Sequence, residues 1–295
     1  MKIASIKKVF GVSALVWMAM ANPAQATEDS FLKSITRQEL VQNGKETFQA
    51  RCSGCHGVEG DGDGLASATL NPKPRNFKTG VFKFKSGPVG SLPTDADLLK
   101  TLNQGIIGTS MPSFRLMSEP QKLALVEYIK SLAPEAWKTQ STESNVALPQ
   151  MPVGVFTRKQ EFLKWATNGR VWFQEMGCVS CHGDSGKGDG PSAATLNDTW
   201  GQPILPANLH KPFVKRGYSV QDVAQSISMG VDGTPMPGYL DSVPDKSIVW
   251  ELAAYVFYMR GRGAGMYPDE PIKAIPASKI PQDEVNAVIG KYITQ

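Results

Sequence analysis

Apolar positions in this 295-residue chain fall into short stretches of helical period, and the stretches come in pairs. Residues 39–51 and 162–176 each predict a helix in which a glycine precedes an aromatic residue by four positions, Gly44 with Phe48 and Gly169 with Phe173. Residues 121–132 and 246–259 predict a second pair. In the first of these, Leu125, Tyr128, Ile129 and Leu132 recur at helical spacing and mark a buried face. Between them lie two shorter helices with start and stop signals. Thr94 and Ser219 stand at N-cap positions with Asp97 and Asp222 three residues on, in the manner of a capping box, and Gly105 and Gly230 follow as C′ residues. Near the C-terminus, Val285, Val288, Ile289 and Tyr292 form one more apolar stripe. A helix that short is marginal alone, so it is expected to pack against one of the domains.

The pairs belong to an internal duplication. Tyr128 and Tyr255 are 127 residues apart, Met111 and Met236 are 125 apart, and Cys52 and Cys178 are 126 apart. Gly/Asp-rich turns at 60–64 and 186–190 precede a Pro-x-Asn-apolar element, Pro74-Arg75-Asn76-Phe77 in one half and Pro206-Ala207-Asn208-Leu209 in the other. Two nearly identical loops follow, Gly108-Thr109-Ser110-Met111-Pro112 and Gly233-Thr234-Pro235-Met236-Pro237. The expected organisation is a leader at 1–26, a first domain at 27–135, a Pro/Ser/Thr/Gln-rich linker at 136–155, a second domain at 156–262 and an extension at 263–295.

The leader is read from Lys2, Lys7 and Lys8, the apolar run 9–21 and the small-x-small site Ala24-Gln25-Ala26. That run is shorter than the roughly 20 residues that cross a bilayer. A cleaved export signal, a mature start near Thr27 and a periplasmic location are therefore expected, with no membrane span after cleavage. Removing three leader lysines leaves 28 basic against 27 acidic residues. A balance so near zero gives no basis for general attraction to nucleic acid or an anionic membrane.

All four cysteines lie in two Cys-x-x-Cys-His pentads, Cys52-Ser53-Gly54-Cys55-His56 and Cys178-Val179-Ser180-Cys181-His182. That pentad is the attachment signature of c-type haem: two thiols form thioethers with the vinyl groups, and the histidine becomes an iron ligand. Two haem c groups per chain are expected, on Cys52 and Cys55 and on Cys178 and Cys181, with His56 and His182 as proximal ligands. Pooling the pentads into one zinc site would leave the repeat unexplained. Two disulfides would leave the histidines unexplained. Asp61-Gly62-Asp63-Gly64 starts like a calcium loop, but the twelfth position is Pro72 instead of the required glutamate.

The chain resembles the class I c-type cytochromes, small all-α domains with a helix before the pentad, a last helix packed across it, and a methionine loop just before that last helix. The resemblance implies two tandem helical domains, each around one covalent haem, with Met111 and Met236 as the sixth iron ligands. Met117 and Met229 are the local rivals, and neither has a counterpart in the other half. His210, the one histidine outside the pentads, is a minor alternative to Met236. By the same resemblance the carbonyls of Pro74 and Pro206 are candidate acceptors for the proximal imidazoles.

An iron with His and Met both bound has no open position, and methionine raises its potential. The expected function is single-electron carriage between respiratory or dehydrogenase partners, with no catalytic residue. The alternatives are a di-haem peroxidase-like enzyme and a cytochrome subunit of a larger respiratory complex. From Gly64 to Thr94 the chain has Lys73, Arg75, Lys78, Lys83 and Lys85 and no acidic residue. This run is either a docking patch for an acidic redox partner or a set of ordinary solvated cations with Arg75 serving a haem propionate.

Overall fold

The duplicated glycines set the architecture. In a computed structural model that describes residues 35–140, 148–156, 158–263, 283 and 286–288, helix α1 (Arg37–Arg51) crosses α3 (Glu119–Ser131) at Gly44. A Cβ on Gly44 would stand 2.0 Å from the carbonyl oxygen of Ala124, so only glycine permits that approach. The second half repeats the crossing. Helix α5 (Lys159–Glu175) meets α7 (Ile248–Gly263) at Gly169, whose Cβ would be 1.9 Å from the Glu251 carbonyl oxygen. Beside each crossing an aromatic pair packs, Phe48 with Tyr128 at 5.2 Å and Phe173 with Tyr255 at 5.4 Å between ring centroids. The expected leader lies outside the described residues, as does most of the C-terminal extension.

Helices α2 (Asp95–Gln104) and α6 (Val220–Met229) start at Thr94 and Ser219 with complete capping boxes. The Asp97 N–H donates to Thr94 Oγ1 at 3.1 Å and the Asp222 N–H to Ser219 Oγ at 3.1 Å, while each aspartate accepts from the N-cap backbone N–H in return. Both helices stop at a glycine of positive φ, 67° at Gly105 and 69° at Gly230. A third box at the start of α3, Ser118 with Gln121, escaped the sequence reading. A short helix, α4 (Pro134–Thr139), occupies the start of the presumed linker and brings Trp137 against Phe82 at the edge of the first core. Among the described residues the only β pairing is two isolated bridges, Asn197 with Pro203 and Val214 with Gly217.

Each half buries its own cluster. Phe48, Phe77, Leu92, Leu102, Leu125 and Ile129 belong to the first, and Phe162, Val171, Phe173, Ile227, Trp250 and Leu252 to the second. Helix α7 is buried on nearly every side. The segment 148–156 covers part of it: the Trp250 indole donates to the Pro149 carbonyl at 2.9 Å, and Phe156 packs among Phe162, Trp250 and Phe257. Val288 of the extension is buried in the same cluster.

The halves are not identical. The offset between equivalent residues is 126 at Leu70 and Leu196, 132 at Pro74 and Pro206, and 125 at Thr94 and Ser219. The second half therefore carries a six-residue insertion before its Pro-x-Asn element, and the first carries a seven-residue insertion after its own. Those insertions meet. From the first, Lys85 forms an ion pair with Asp232 at 2.5 Å, the Gly90 N–H donates to the same carboxylate at 3.1 Å, and the Ser86 carbonyl accepts from Gln225 Nε2 at 3.0 Å. From the second, Trp200 lies under Arg75, with the guanidinium carbon 3.8 Å from the ring centroid. The capping aspartates also reach across: Asp222 pairs with Lys100, and Asp97 with Arg216 at 3.7 Å.

This contact overturns the basic docking patch. Lys85 is buried on Asp232, Lys83 lies 3.8 Å from Asp198, and Arg75 stacks on Trp200. Lys73 is held locally by the carbonyls of Ser67 and Ala68. Lys78 is exposed, and among the described residues no ion pair reaches it. Clustered cations with no acidic neighbour in sequence found their anions 115 to 147 residues away.

Candidate functional site

Each pentad follows the N-terminal helix of its half and turns through one further helical turn, Ser53–His56 and Val179–His182. Backbone bonds repeat between the halves. The Gly64 N–H donates to the Cys55 carbonyl at 3.2 Å and the Gly190 N–H to the Cys181 carbonyl at 3.1 Å. A Cβ on Gly64 or Gly190 would sit 2.5 or 2.4 Å from pentad carbonyl oxygens, so the Gly/Asp-rich turns are pressed directly onto the pentads. This is a physical reason for their glycines. Among the described residues no three or more His, Cys, Asp or Glu side chains gather into a group of the kind that holds a metal ion.

The proximal histidines are oriented alike. His56 Nδ1 lies 3.0 Å from the Arg75 carbonyl oxygen, and His182 Nδ1 lies 3.0 Å from that of Ala207. The acceptor in each half is thus the residue after the proline, correcting the expectation of Pro74 and Pro206. The proline carbonyls are taken up in the backbone approach of Gly62 and Gly188, whose Cβ atoms would lie 2.9 and 2.6 Å from them. Burial lowers the pKa of both imidazoles below the usual histidine value, outweighing the carbonyl bonds that favour the proton. A neutral ring that donates from Nδ1 leaves the Nε2 lone pair for a metal. Phe77 stacks on His56 at 4.7 Å and fixes the ring plane.

The four thiols are free and partly buried. Burial pushes Cys52 up to about 11 and Cys178 up to about 12, the neighbouring pentad cysteine adding to each. Cys52 and Cys178 are therefore neutral thiols at physiological pH, without the thiolate character of a zinc or redox-sensor cysteine.

The methionine loops match bond for bond. The Ile106 N–H donates to the Met111 carbonyl and the Val231 N–H to that of Met236, both at 3.1 Å. Thr109 and Thr234 each donate to the carbonyl three residues before, and each hydroxyl accepts from the methionine N–H. Met111 packs with Cys52 and Phe114 against the first core. In the second half, Tyr239, three residues past Met236, hydrogen-bonds to Cys178, and burial pushes its hydroxyl up to about 12. Of the rival methionines, Met229 is buried inside the second core and Met117 packs on the first. His210 spends its Nε2 on the Ser185 carbonyl at 2.6 Å.

The cytochrome c family profile matches residues 41–133 and 166–260, one match per half. The chain belongs to the cytochrome c family. This cytochrome is 36% identical to a chain of the Kuenenia stuttgartiensis reducing HAO-like protein complex Kustc0457/Kustc0458, with a TM-score of 0.66, covering 74% of this chain and 95% of that one. It is also 25% identical over 158 residues to the Cbb3-type cytochrome c oxidase subunit CcoP of Helicobacter pylori (strain 52). That alignment covers 53% of this cytochrome and 41% of the relative, so the chain matches less than half the length of the oxidase subunit. Two all-α cytochrome c domains and electron transport follow from these matches. No described helix is long and apolar enough to cross a membrane.

The site residues fit haem c on the structure's own terms. Each half offers two free thiols in one turn, a neutral histidine with its outer nitrogen already bonded, and a braced methionine loop.

Proposed function

We propose that the protein is a periplasmic di-haem cytochrome c that passes single electrons between redox proteins, with His56 and Met111 as axial ligands in the first half and His182 and Met236 in the second. The observation that carries this reading is the duplicated geometry, a carbonyl-bonded histidine next to a free thiol pair and a threonine-braced methionine loop in each half. Cys52, Cys55, Cys178 and Cys181 would hold the two groups covalently. Haem c, when bound, supplies one-electron chemistry at iron.

The chain's own residues do the rest. The Arg75 and Ala207 carbonyls orient the imidazoles and keep the proton on Nδ1. Thr109 and Thr234 hold the backbones of the two methionines. Mass spectrometry of the exported protein should give two haem increments on a chain beginning near Thr27. One increment or none would refute the assignment. Met111→Ala and Met236→Ala should each remove half of the long-wavelength methionine–iron absorption.

A partner is implied by the likeness to a chain of a two-protein HAO-like complex, because it extends over 95% of that chain. We read the cytochrome as the electron-transfer member of such an assembly rather than a free peroxidase-like enzyme. Purification from its native host under mild conditions tests this: a fixed stoichiometry with a second redox protein supports it, and isolation of the bare cytochrome opposes it.

A further inference from the structure

We infer that the first half clamps the methionine loop of the second, with Lys85 and Trp200 acting as positioning residues for Met236. This rests on the assignment of Met236 as an iron ligand. The Val231 N–H to Met236 carbonyl bond closes the loop around Asp232, Gly233, Thr234 and Pro235. Whatever fixes Asp232 and Gly233 therefore fixes Met236.

Two contacts do so. Asp232, 7% exposed, takes the Lys85 ammonium, itself 2% exposed, together with the Gly90 N–H, all three groups meeting where the halves join. Gly233 lies under the Trp200 indole, which a Cβ would approach to 2.5 Å, and its carbonyl accepts from the Thr199 N–H at 3.0 Å. Trp200 is pinned in turn, its backbone N–H donating to Asp198 Oδ1 at 3.0 Å and its ring face covered by Arg75. Arg75 is also the residue whose carbonyl holds His56. One continuous set of contacts thus runs from the proximal histidine of the first half to the methionine loop of the second.

The first methionine loop is built differently. Its equivalent of Asp232 is Ile107, and the six-residue insertion that carries Trp200 has no counterpart in the first half. Among the described residues no ion pair reaches residues 105–112, and the cross-half contact is apolar, the Phe213 ring against Gly108. Removing Lys85 would leave the Asp232 carboxylate buried without its cation, and the loop would swing out to hydrate it. Met236 would leave with the loop, giving the second iron an open position for a small exogenous ligand, and Met111 would stay.

The test is imidazole titration of the full-length ferric holoprotein, read by the methionine–iron absorption and by spectroelectrochemistry. Apparent affinity scales with the open fraction of the site. Lys85→Met and Trp200→Ala should each raise imidazole affinity at one site at least about tenfold and lower that site's potential. Lys85→Arg and Trp200→Phe should restore most of the wild-type behaviour. In a Met236→Ala background neither substitution should change the remaining Met111 site. Unchanged affinity in Lys85→Met and Trp200→Ala, with Met236→Ala opening one iron normally, overturns the clamp alone. A rise at both sites alike marks general loosening and also overturns it. Failure of Met236→Ala to open an iron overturns the ligand assignment, and the clamp with it. If Lys85→Met does not fold, Trp200→Ala carries the test, because it frees Gly233 and leaves the Lys85–Asp232 pair in place.

Discussion

The two halves share the backbone features that hold the pentads, while side chains on them differ: Phe77 stacks on His56 where the second half has Leu209, and Tyr239 bonds to Cys178 where the first has Phe114. The glycine crossing, the histidine-to-carbonyl bond, the capping box and the threonine-braced methionine loop recur with distances that agree within a few tenths of an ångström. The insertions do not recur, and they build the contact between the halves. The wrapping differs too. Helix α3 buries one face and carries Lys122, Glu127 and Lys130 in ion pairs along its flank. Helix α7 is enclosed by α5, α6, the 148–156 segment and Val288, and even holds Glu251 buried against Asn168. Geometry that must present ligands to a metal tolerates little change, whereas outer surfaces are free to become an interface.

The sharpest way to break the symmetry claim is at the crossings. Gly44→Ala and Gly169→Ala each place a methyl group 2 Å or less from a backbone oxygen, so each should cost about 3 kcal/mol or more, at the upper end of overpacking penalties. The two losses should be similar. If thermal unfolding shows one half indifferent to the added methyl, the crossings are not equivalent.

The next effect should fall on the contact between the halves. Lys85→Met leaves Asp232 buried without its cation and should cost about 3–5 kcal/mol, with most of it regained in Lys85→Met/Asp232→Leu. Chemical denaturation followed by tyrosine and tryptophan fluorescence measures both. A double variant no better than the single would mean that the pair is not the source of the loss.

Smaller still is the effect expected at Asp222, the capping aspartate of the second half. Burial tends to raise the Asp222 pKa, but Lys100 and the Ser219 bonds outweigh it and hold the carboxyl below the usual range. Its folded value is therefore the lower one. The stability it adds is complete above the ordinary aspartate pKa of about 3.9 and is lost as pH falls through the folded value. Asp222→Asn should cost about 1–2 kcal/mol at neutral pH and flatten the acid limb of the stability profile. A wild-type acid limb that survives the substitution would assign it to other carboxylates. Smallest is Trp200→Phe, which keeps an aromatic face for Arg75 and should cost about 1 kcal/mol or less in the same denaturation assay.

Much of this was legible from the chain. Helix starts at Thr94 and Ser219 were readable because a capping box is a four-residue signal whose donors and acceptors are local. The Gly44–Phe48 and Gly169–Phe173 spacings were legible as a repeat, and the structure showed what they do: the glycine allows the close approach of two helices and the aromatic fills the space beside it. The acceptors for the histidines were missed by one position. Both the proline and the next residue offer a carbonyl, and only the path of the Gly62 and Gly188 turns decides which one faces the ring. Helix α4 was missed because Pro134–Thr139 looks like the start of a polar linker until Trp137 finds Phe82.

By itself, then, the sequence determined what depends on neighbours within a few positions: the pentads, the capped helices, the methionine loops and their duplication. Only the tertiary structure decided the fate of Arg75, Lys83 and Lys85. A lysine with no acid nearby in sequence reads as solvated, and its destination depends on what the fold carries up to it. Here Asp198, Trp200 and Asp232 arrive from more than a hundred residues away and turn a supposed docking patch into the joint between the halves. Burying an unpaired charge is costly and burying a matched pair is tolerable, so the pairing became fixed only where the two insertions closed over one another.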